Sequence, residues 1–234
     1  MIRNILFTIF FFLGIIFISI IFLPSLIMPQ KVTLVGGKIM GQWAKFCLRI
    51  FLLVKINIIG KENIITNERF FIACSHQSMF ETFFLQTIFN SPIFIIKKEL
   101  LKIPIFGWYL KKIGSISIDR NKITRENLGF SEKIHSIIKT SNRPIIIFPQ
   151  ATRVAPEDRT HFKKGVARIY EDLRIKCQPI AINSGSVWPK FGKLTSKKTI
   201  TVSILKEINS GMDRKEFINT LQENIYKELD LISS

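Results

Sequence analysis

From Ile5 to Leu23 the chain reads ILFTIFFFLGIIFISIIFL, an apolar stretch without a single charge. Nothing of that length and character can be left in water, and coiled as a helix it reaches roughly the 30 Å of a bilayer's hydrocarbon core. Where a cleaved leader would end in small residues the sequence continues PSLIMPQK, so the segment reads as a retained anchor. Arg3 is the one charge ahead of it and many basic residues follow, which places everything downstream on the cytoplasmic side of a membrane. Whether the segment spans the bilayer or dips into one leaflet stays open.

Beyond Pro24 and Pro29, residues Lys31, Lys38, Lys45 and Arg49 recur at spacings that gather them into one sector of a helix. Val35, Ile39, Phe46, Ile50 and Leu53 fall elsewhere around it. That pattern fits a cationic amphipathic helix lying in a membrane interface, or a solvated stripe on a helix packed against the domain; Gly36, Gly37 and Gly41 count against a helix. Residues 1–58 are therefore expected to form a membrane anchor and amphipathic helix, and residues 59–234 an α/β domain.

The chain carries 34 Lys and Arg against 17 Asp and Glu, a formal net charge of +17, while 47% of its residues are hydrophobic. A nucleic-acid binder would be basic but less apolar, so membrane phospholipids are the expected partner and nucleic acid is not. Cys47, Cys74 and Cys177 stand too far apart for a disulfide framework or a paired thiolate site, and His76, His135 and His161 form no ligand pair, so no metal is assigned.

Short β-branched runs alternate with longer charged segments. FFIACS (70–75), PIFIIK (92–97), SISID (115–119), PIIIF (144–148), PIAIN (179–183) and TITVSIL (199–205) have strand character. Met79–Phe89, Lys98–Ile113 with a break at Pro104, Thr124–Thr140, Lys163–Lys176 and a last helix opened by Asp213 suit helices. This alternation predicts an α/β fold with a largely parallel sheet flanked by helices, whose ligand sites gather at the carboxyl ends of strands.

One strand end reads CSHQSMFETF (74–83). With His76 on the loop, Ser75 as a possible cap and Glu81 on the first turns of the next helix, a carboxylate could fix the imidazole tautomer and leave Nε2 to accept a proton. The same spacing also suits a structural histidine. No Gly-x-Ser-x-Gly elbow is present, so a base here would act on a substrate hydroxyl directly.

Further blocks follow: Gly114 with Arg120, then Phe148-Pro149-Gln150-Ala151-Thr152-Arg153, then Pro179. In their order and spacing the four blocks resemble the glycerolipid acyltransferase family typified by 1-acyl-sn-glycerol-3-phosphate acyltransferase, over about Phe70 to Gly185. The family pattern is H-x-x-x-x-D, G-x-x-x-x-x-R, F-P-E-G-T-R and a proline-led strand end. The resemblance implies His76 and Glu81 as catalytic, and Gly114, Arg120, Pro149, Gln150, Thr152, Arg153 and Pro179 as substrate-binding. It implies transfer of a fatty acyl group from acyl-CoA or acyl carrier protein to lysophosphatidic acid, giving phosphatidic acid, with no cofactor beyond the acyl donor. Another lysolipid or glycerol-3-phosphate is the alternative acceptor, and a non-catalytic membrane-tethered lipid- or nucleic-acid-binding protein the alternative class. Three departures stand out: Glu81 for aspartate, Gln150 for glutamate, and Ala151 for glycine, which should remove any need for positive φ at that position. Phe94, Phe106, Trp108, Tyr109 and Trp188 are expected in the core rather than along an acyl channel.

Overall fold

A computed structural model describes residues 1–118 and 130–233. Among these, seven strands form one sheet: β1 Lys55–Ile59, β2 Phe70–Cys74, β3 Ile93–Lys97, β4 Ile116–Ile118, β5 Ile145–Ile147, β6 Lys176–Ile182 and β7 Thr199–Ile204. Their spatial order is β1-β7-β6-β2-β5-β3-β4. All neighbours pair parallel except β6 and β7. The six expected strands are present; β1 is the addition. Its KINII sequence alternates exposed and half-buried residues at the sheet edge, a weak strand signal, and it runs across the expected 58/59 boundary.

Seven helices of two turns or more are described: α1 Ile2–Ile21, α2 Gln30–Phe51, α3 Phe80–Ile88, α4 Phe106–Lys112, α5 Phe130–Thr140, α6 Lys164–Leu173 and α7 Arg214–Ser233. They cover both faces of the sheet, which is why its central strands are apolar on both sides. Ile72 and Cys74 of β2 join Ile146 and Ile180 in one core beneath α1 to α4. Phe71 and Ala73, pointing the other way, join Ile145, Ile147 and the residues of α5 to α7. Asp213 caps α7 as expected, its Oδ1 accepting from the Lys215 and Glu216 amides at 2.7 and 3.0 Å. Phe217, Leu221, Ile225 and Leu229 line the buried side of that helix.

The apolar run forms α1, which is long and apolar enough to cross a membrane, and only Phe7, Phe11 and Ile18 along it are buried. Most of its large side chains are exposed, Phe17 to 64%. The helix is nevertheless fastened to the domain at both ends: Asn4 Nδ2 donates to the Leu194 carbonyl at 2.8 Å, and Tyr109 Oη donates to the Ser19 carbonyl at 2.6 Å. Between them Phe7 and Phe11 stand edge-on to Trp188.

Glycines that argued against α2 are where it meets its neighbours. Added Cβ atoms would lie 2.4 Å from Gln86 Oε1 at Gly37 and 2.4 Å from the Phe83 carbonyl oxygen at Gly41, both groups on α3. At Gly14 of α1 a Cβ would overlap the Trp43 ring at 2.0 Å. Small residues thus let three helices approach closely, and the helix cost of glycine is outweighed by close packing, most firmly at Gly41, where the neighbour is backbone. The face left over carries Val35, Ile39, Phe46 and Ile50, all exposed.

Gly41→Ala should lower stability by about 1–3 kcal/mol, since the obstacle is backbone and cannot rotate away. Gly165→Ala in α6, where nothing lies within 4 Å, should raise it by roughly 0.5 kcal/mol. Chemical denaturation of the two variants, read as midpoint shifts of opposite sign, checks the pair.

Candidate active site

The three central strands β6, β2 and β5 end side by side, and their loops meet. After β2 the chain turns through His76 into α3, and Ser75 does not cap that helix. The Ser75 hydroxyl instead accepts from the Ile182 amide at 2.8 Å, fastening the ends of β2 and β6. The helix starts one turn later, with Ser78 Oγ accepting from the Phe80 amide at 3.1 Å.

Glu81, on the first turn of α3, is fully buried. Its Oε1 accepts from the Gln77 amide at 2.9 Å and from the Ser184 hydroxyl at 2.6 Å; the Ser78 amide donates to both oxygens at 3.1 Å. Oε2 lies 3.8 Å from His76 Nδ1, an ion-pair distance rather than a hydrogen bond. Burial pushes this carboxyl up from an ordinary 4.5 to about 7, the hydrogen bonds from Ser184, Gln77 and Ser78 acting against the rise. The buried Cys74 thiol beside it is held well above the usual range by desolvation and by the Glu81 charge.

The His76 ring stacks on Phe148 at 4.0 Å with 17° between planes. Nδ1 is buried on the Glu81 side while the side chain remains 15% exposed, so the part of the ring that reaches solvent lies away from Nδ1. The third block closes over this unit: the Val154 amide donates to the His76 carbonyl at 2.9 Å, placing Arg153 one residue from that contact. Pro149 and Gln150 are buried, the Pro149 carbonyl accepting from the Lys163 amide at 2.9 Å, while Thr152 is exposed. The loop after β6 completes the assembly. The Gly185 amide donates to Gln77 Oε1 at 3.0 Å, and a Cβ at Gly185 would press on Gln77 and Pro156.

Two residues escaped the sequence reading. Ser184, fully buried, supplies a side-chain hydrogen bond to Glu81, and nothing in PIAINSG marks it beyond its place after a strand. Lys190, on the same loop, donates to Thr152 Oγ1 at 3.1 Å and adds a cation beside the third block. Among so many lysines no sequence signal distinguishes it.

Three expectations need correction. Gly114 is not at the site: it precedes β4, so it lies at the amino end of the parallel strands, near Gln30 and Arg143. Its φ of +80° ends α4 in the left-handed region, a backbone role that glycine fills at least cost. Pro179 sits within β6, opposite Ala73 and three residues short of the strand end. The β6–β7 ladder begins only at Ile180, so the missing N–H removes no ladder bond there. Ala151, finally, adopts φ +61°, the positive value that alanine seemed to exclude, so the residue carries the strain of the left-handed region. Arg120, Asp119 and the first residues of the expected Thr124–Thr140 helix lie outside the described residues. His135 and His161 are exposed.

Residues 55–183 match the family model described as Acyltransferase. A 1-acyl-sn-glycerol-3-phosphate acyltransferase of Pseudomonas aeruginosa is 30% identical over 169 residues, 71% of this chain and 65% of that one. The enzyme of the same name from Helicobacter pylori is 31% identical over 166 residues, 67% of each chain, and that from Saccharomyces cerevisiae 27% over 207 residues, 84% and 67%. The chain therefore spans about two thirds of the length of these curated relatives. Among solved structures, that of the 1-acyl-sn-glycerophosphate (LPA) acyltransferase from Thermotoga maritima superposes with a TM-score of 0.80 at 20% identity, covering 100% of this chain and 98% of that one. That likeness establishes the fold: a mostly parallel sheet flanked by helices.

Ala151→Gly should raise stability by roughly 0.5–1 kcal/mol, the left-handed strain of about 1–2 kcal/mol less glycine's extra chain entropy. Glu81 gives the pH dependence a definite sign. Its proton is held more tightly folded than unfolded, so its contribution to stability is fully present below 4.5 and is lost as pH rises through about 7. Glu81→Gln should flatten the fall in thermal midpoint across that window, whatever its effect on the midpoint itself.

Proposed function

Since the chain belongs to the acyltransferase family, we propose that it transfers a fatty acyl group from acyl-CoA or acyl carrier protein to the free hydroxyl of 1-acyl-glycerol-3-phosphate, forming phosphatidic acid at a membrane surface. The observation that carries this reading is the convergence of His76, Glu81 and the Phe148–Arg153 block at the ends of β2, β5 and β6. It is held by the His76–Phe148 stack, the Val154–His76 hydrogen bond and the Ser184–Glu81 hydrogen bond.

The acceptor hydroxyl approaches the solvent-reaching edge of the imidazole. Nε2 takes its proton while the oxygen attacks the thioester carbonyl carbon, and Glu81 behind Nδ1 stabilises the imidazolium across 3.8 Å. The carbon–sulfur bond then breaks, and the imidazolium returns the proton to the departing thiolate. No acyl-enzyme is needed, because the thioester is already activated.

Arg153 offers the guanidinium fork that suits a phosphomonoester, with Lys190 and Thr152 alongside it and Arg120 as a further cation. The surface charge of the whole chain, +17, draws such anions in. In this reading the exposed apolar faces of α1 and α2 rest in the membrane, and the basic residues downstream of α1 support a domain on its cytoplasmic side.

Purified protein supplied with oleoyl-CoA and 1-acyl-glycerol-3-phosphate should release free thiol and phosphatidic acid. His76→Ala should reduce kcat/KM by roughly 10²–10⁴ with the fold retained. Undiminished turnover in that variant would remove the proposed base. Parallel assays with glycerol-3-phosphate and a lysophospholipid lacking the phosphomonoester separate the acceptors.

A further inference from the structure

Lys98–Lys102 forms a short 3-10 helix, and after it the chain does something costly at its surface. Ile105 takes φ +62° and ψ −58°, and the Phe106 amide donates back to the Pro104 carbonyl at 2.6 Å. This is a γ-turn of the rare, strained hand, with a β-branched residue at its centre. Such a turn persists only where the surrounding structure enforces it.

The enforcement is visible on every side. Gly107 sits so close to the 3-10 helix that a Cβ would meet the Leu101 carbonyl oxygen at 2.2 Å. Leu110 is buried in the core. Tyr109 is tied to Ser19 of α1, and Gln30 Nε2 of α2 donates to the Lys112 carbonyl at 3.0 Å. The result is a rigid knuckle that holds apolar side chains out of the protein: Ile103 is 44% exposed, Ile105 39%, Phe106 41% and Trp108 52%. The expected core placement of Phe106 and Trp108 is thereby overturned, whereas Phe94 is buried and Trp188 is covered by Phe7 and Phe11 of α1.

Charge completes the pattern. Lys97, Lys98, Lys102, Lys111 and Lys112 flank the knuckle, and the one acid among them, Glu99, lies 3.3 Å from Lys97. Through Tyr109 and Ser19 the knuckle continues the exposed apolar face of α1. Exposed apolar residues that include a tryptophan, flanked by lysines, complement the interfacial zone of a bilayer whose headgroups are anionic.

We propose that Ile103–Trp108 is a second membrane-contact element, separate from α1 and α2, which seats its four apolar side chains in the headgroup region of an anionic phospholipid bilayer. A second contact beside that of α1 fixes the tilt of the domain where one alone would leave it free to roll. The proposal leans on the acyltransferase reading only in requiring a membrane nearby.

The full chain has three tryptophans, Trp43, Trp108 and Trp188, so Trp43→Phe with Trp188→Phe leaves Trp108 as the sole probe. Vesicles of mixed phosphatidylglycerol and phosphatidylcholine with bromine near the top of the acyl chains should quench and blue-shift its emission, and phosphatidylcholine alone should do so less. In the otherwise unaltered chain, the bromine quenching lost on Trp108→Phe reports the same contact should the double variant fold poorly. Ile105→Asp with Phe106→Asp should weaken vesicle partitioning roughly tenfold or more. Protein that sediments fully with vesicles while Trp108 stays unquenched would overturn the proposal and leave the acyltransferase reading standing. Quenching without acyl transfer would do the reverse. Shielding of Trp108 that depends on protein concentration and not on lipid would assign the knuckle to a second copy of the chain, and so overturn it too.

Discussion

A buried carboxylate holds this site together. Desolvating a charge completely costs several kcal/mol unless the lost water is replaced by donors. For Glu81 the donors are the Gln77 and Ser78 amides and the Ser184 hydroxyl. The amides belong to the turn that carries His76, and the hydroxyl to the loop after β6, so one side chain sets the geometry of two strand ends. The turn points its amides at Glu81 because α3 begins there, and a helix start presents free N–H groups to a negative charge. The carboxylate is thereby fixed before it acts on the imidazole. Its Oε2 stands 3.8 Å from Nδ1.

The same helix joins this site to the apolar helices α1 and α2. One side of α3 bears Glu81; another packs on the glycines of α2 through Phe83, Gln86 and Thr87. Phe83 also meets Phe11 of α1 at 5.6 Å. The helix that carries Glu81 thus packs directly on helices whose outer faces are apolar and exposed. A lysolipid could keep its acyl chain among its neighbours and still present its hydroxyl to His76. Replacing Gly41 by a larger residue would press on the Phe83 carbonyl and push α2 off α3, the helix that carries the carboxylate.

Much of this was legible in the sequence because the signals were local. The alternation of β-branched runs and periodic segments gave six strands and the parallel sheet, since both faces of such a sheet must be apolar. His76, Glu81 and the Phe148–Arg153 block were visible because each follows a strand directly. What could not be read depended on contacts between distant residues. Gly36, Gly37 and Gly41 looked like helix breakers because propensity is local and the packing that justifies them comes from α1 and α3. Gly114 looked like part of the site because it falls at a family spacing, although a residue before a parallel strand and one after it lie at opposite ends of the sheet. Ser184 and Lys190 carry no signature at all; only the folding of the β6 loop onto α3 and the third block gives them partners.

Departures from the family pattern fit together around the buried charge. Glutamate at position 81 has one more methylene than aspartate, and the extra reach lets a side chain rooted on α3 fold back to amides three and four residues earlier. At position 150 the neutral amide is 1% exposed and lies beside Tyr226. A carboxylate there would be a second buried charge in the same half of the domain, requiring donors of its own and competing with an anionic ligand for the cations nearby. Glutamine keeps the shape of the side chain and removes that demand. Alanine at 151 costs local strain within a closed turn, in which the Ala151 amide donates to the Phe148 carbonyl at 2.9 Å, and Phe148 is the residue on which the imidazole rests. Strain of about 1–2 kcal/mol is small against the burial of Phe148, Pro149 and Gln150 around it, so the loop follows its neighbours rather than the preference of one residue.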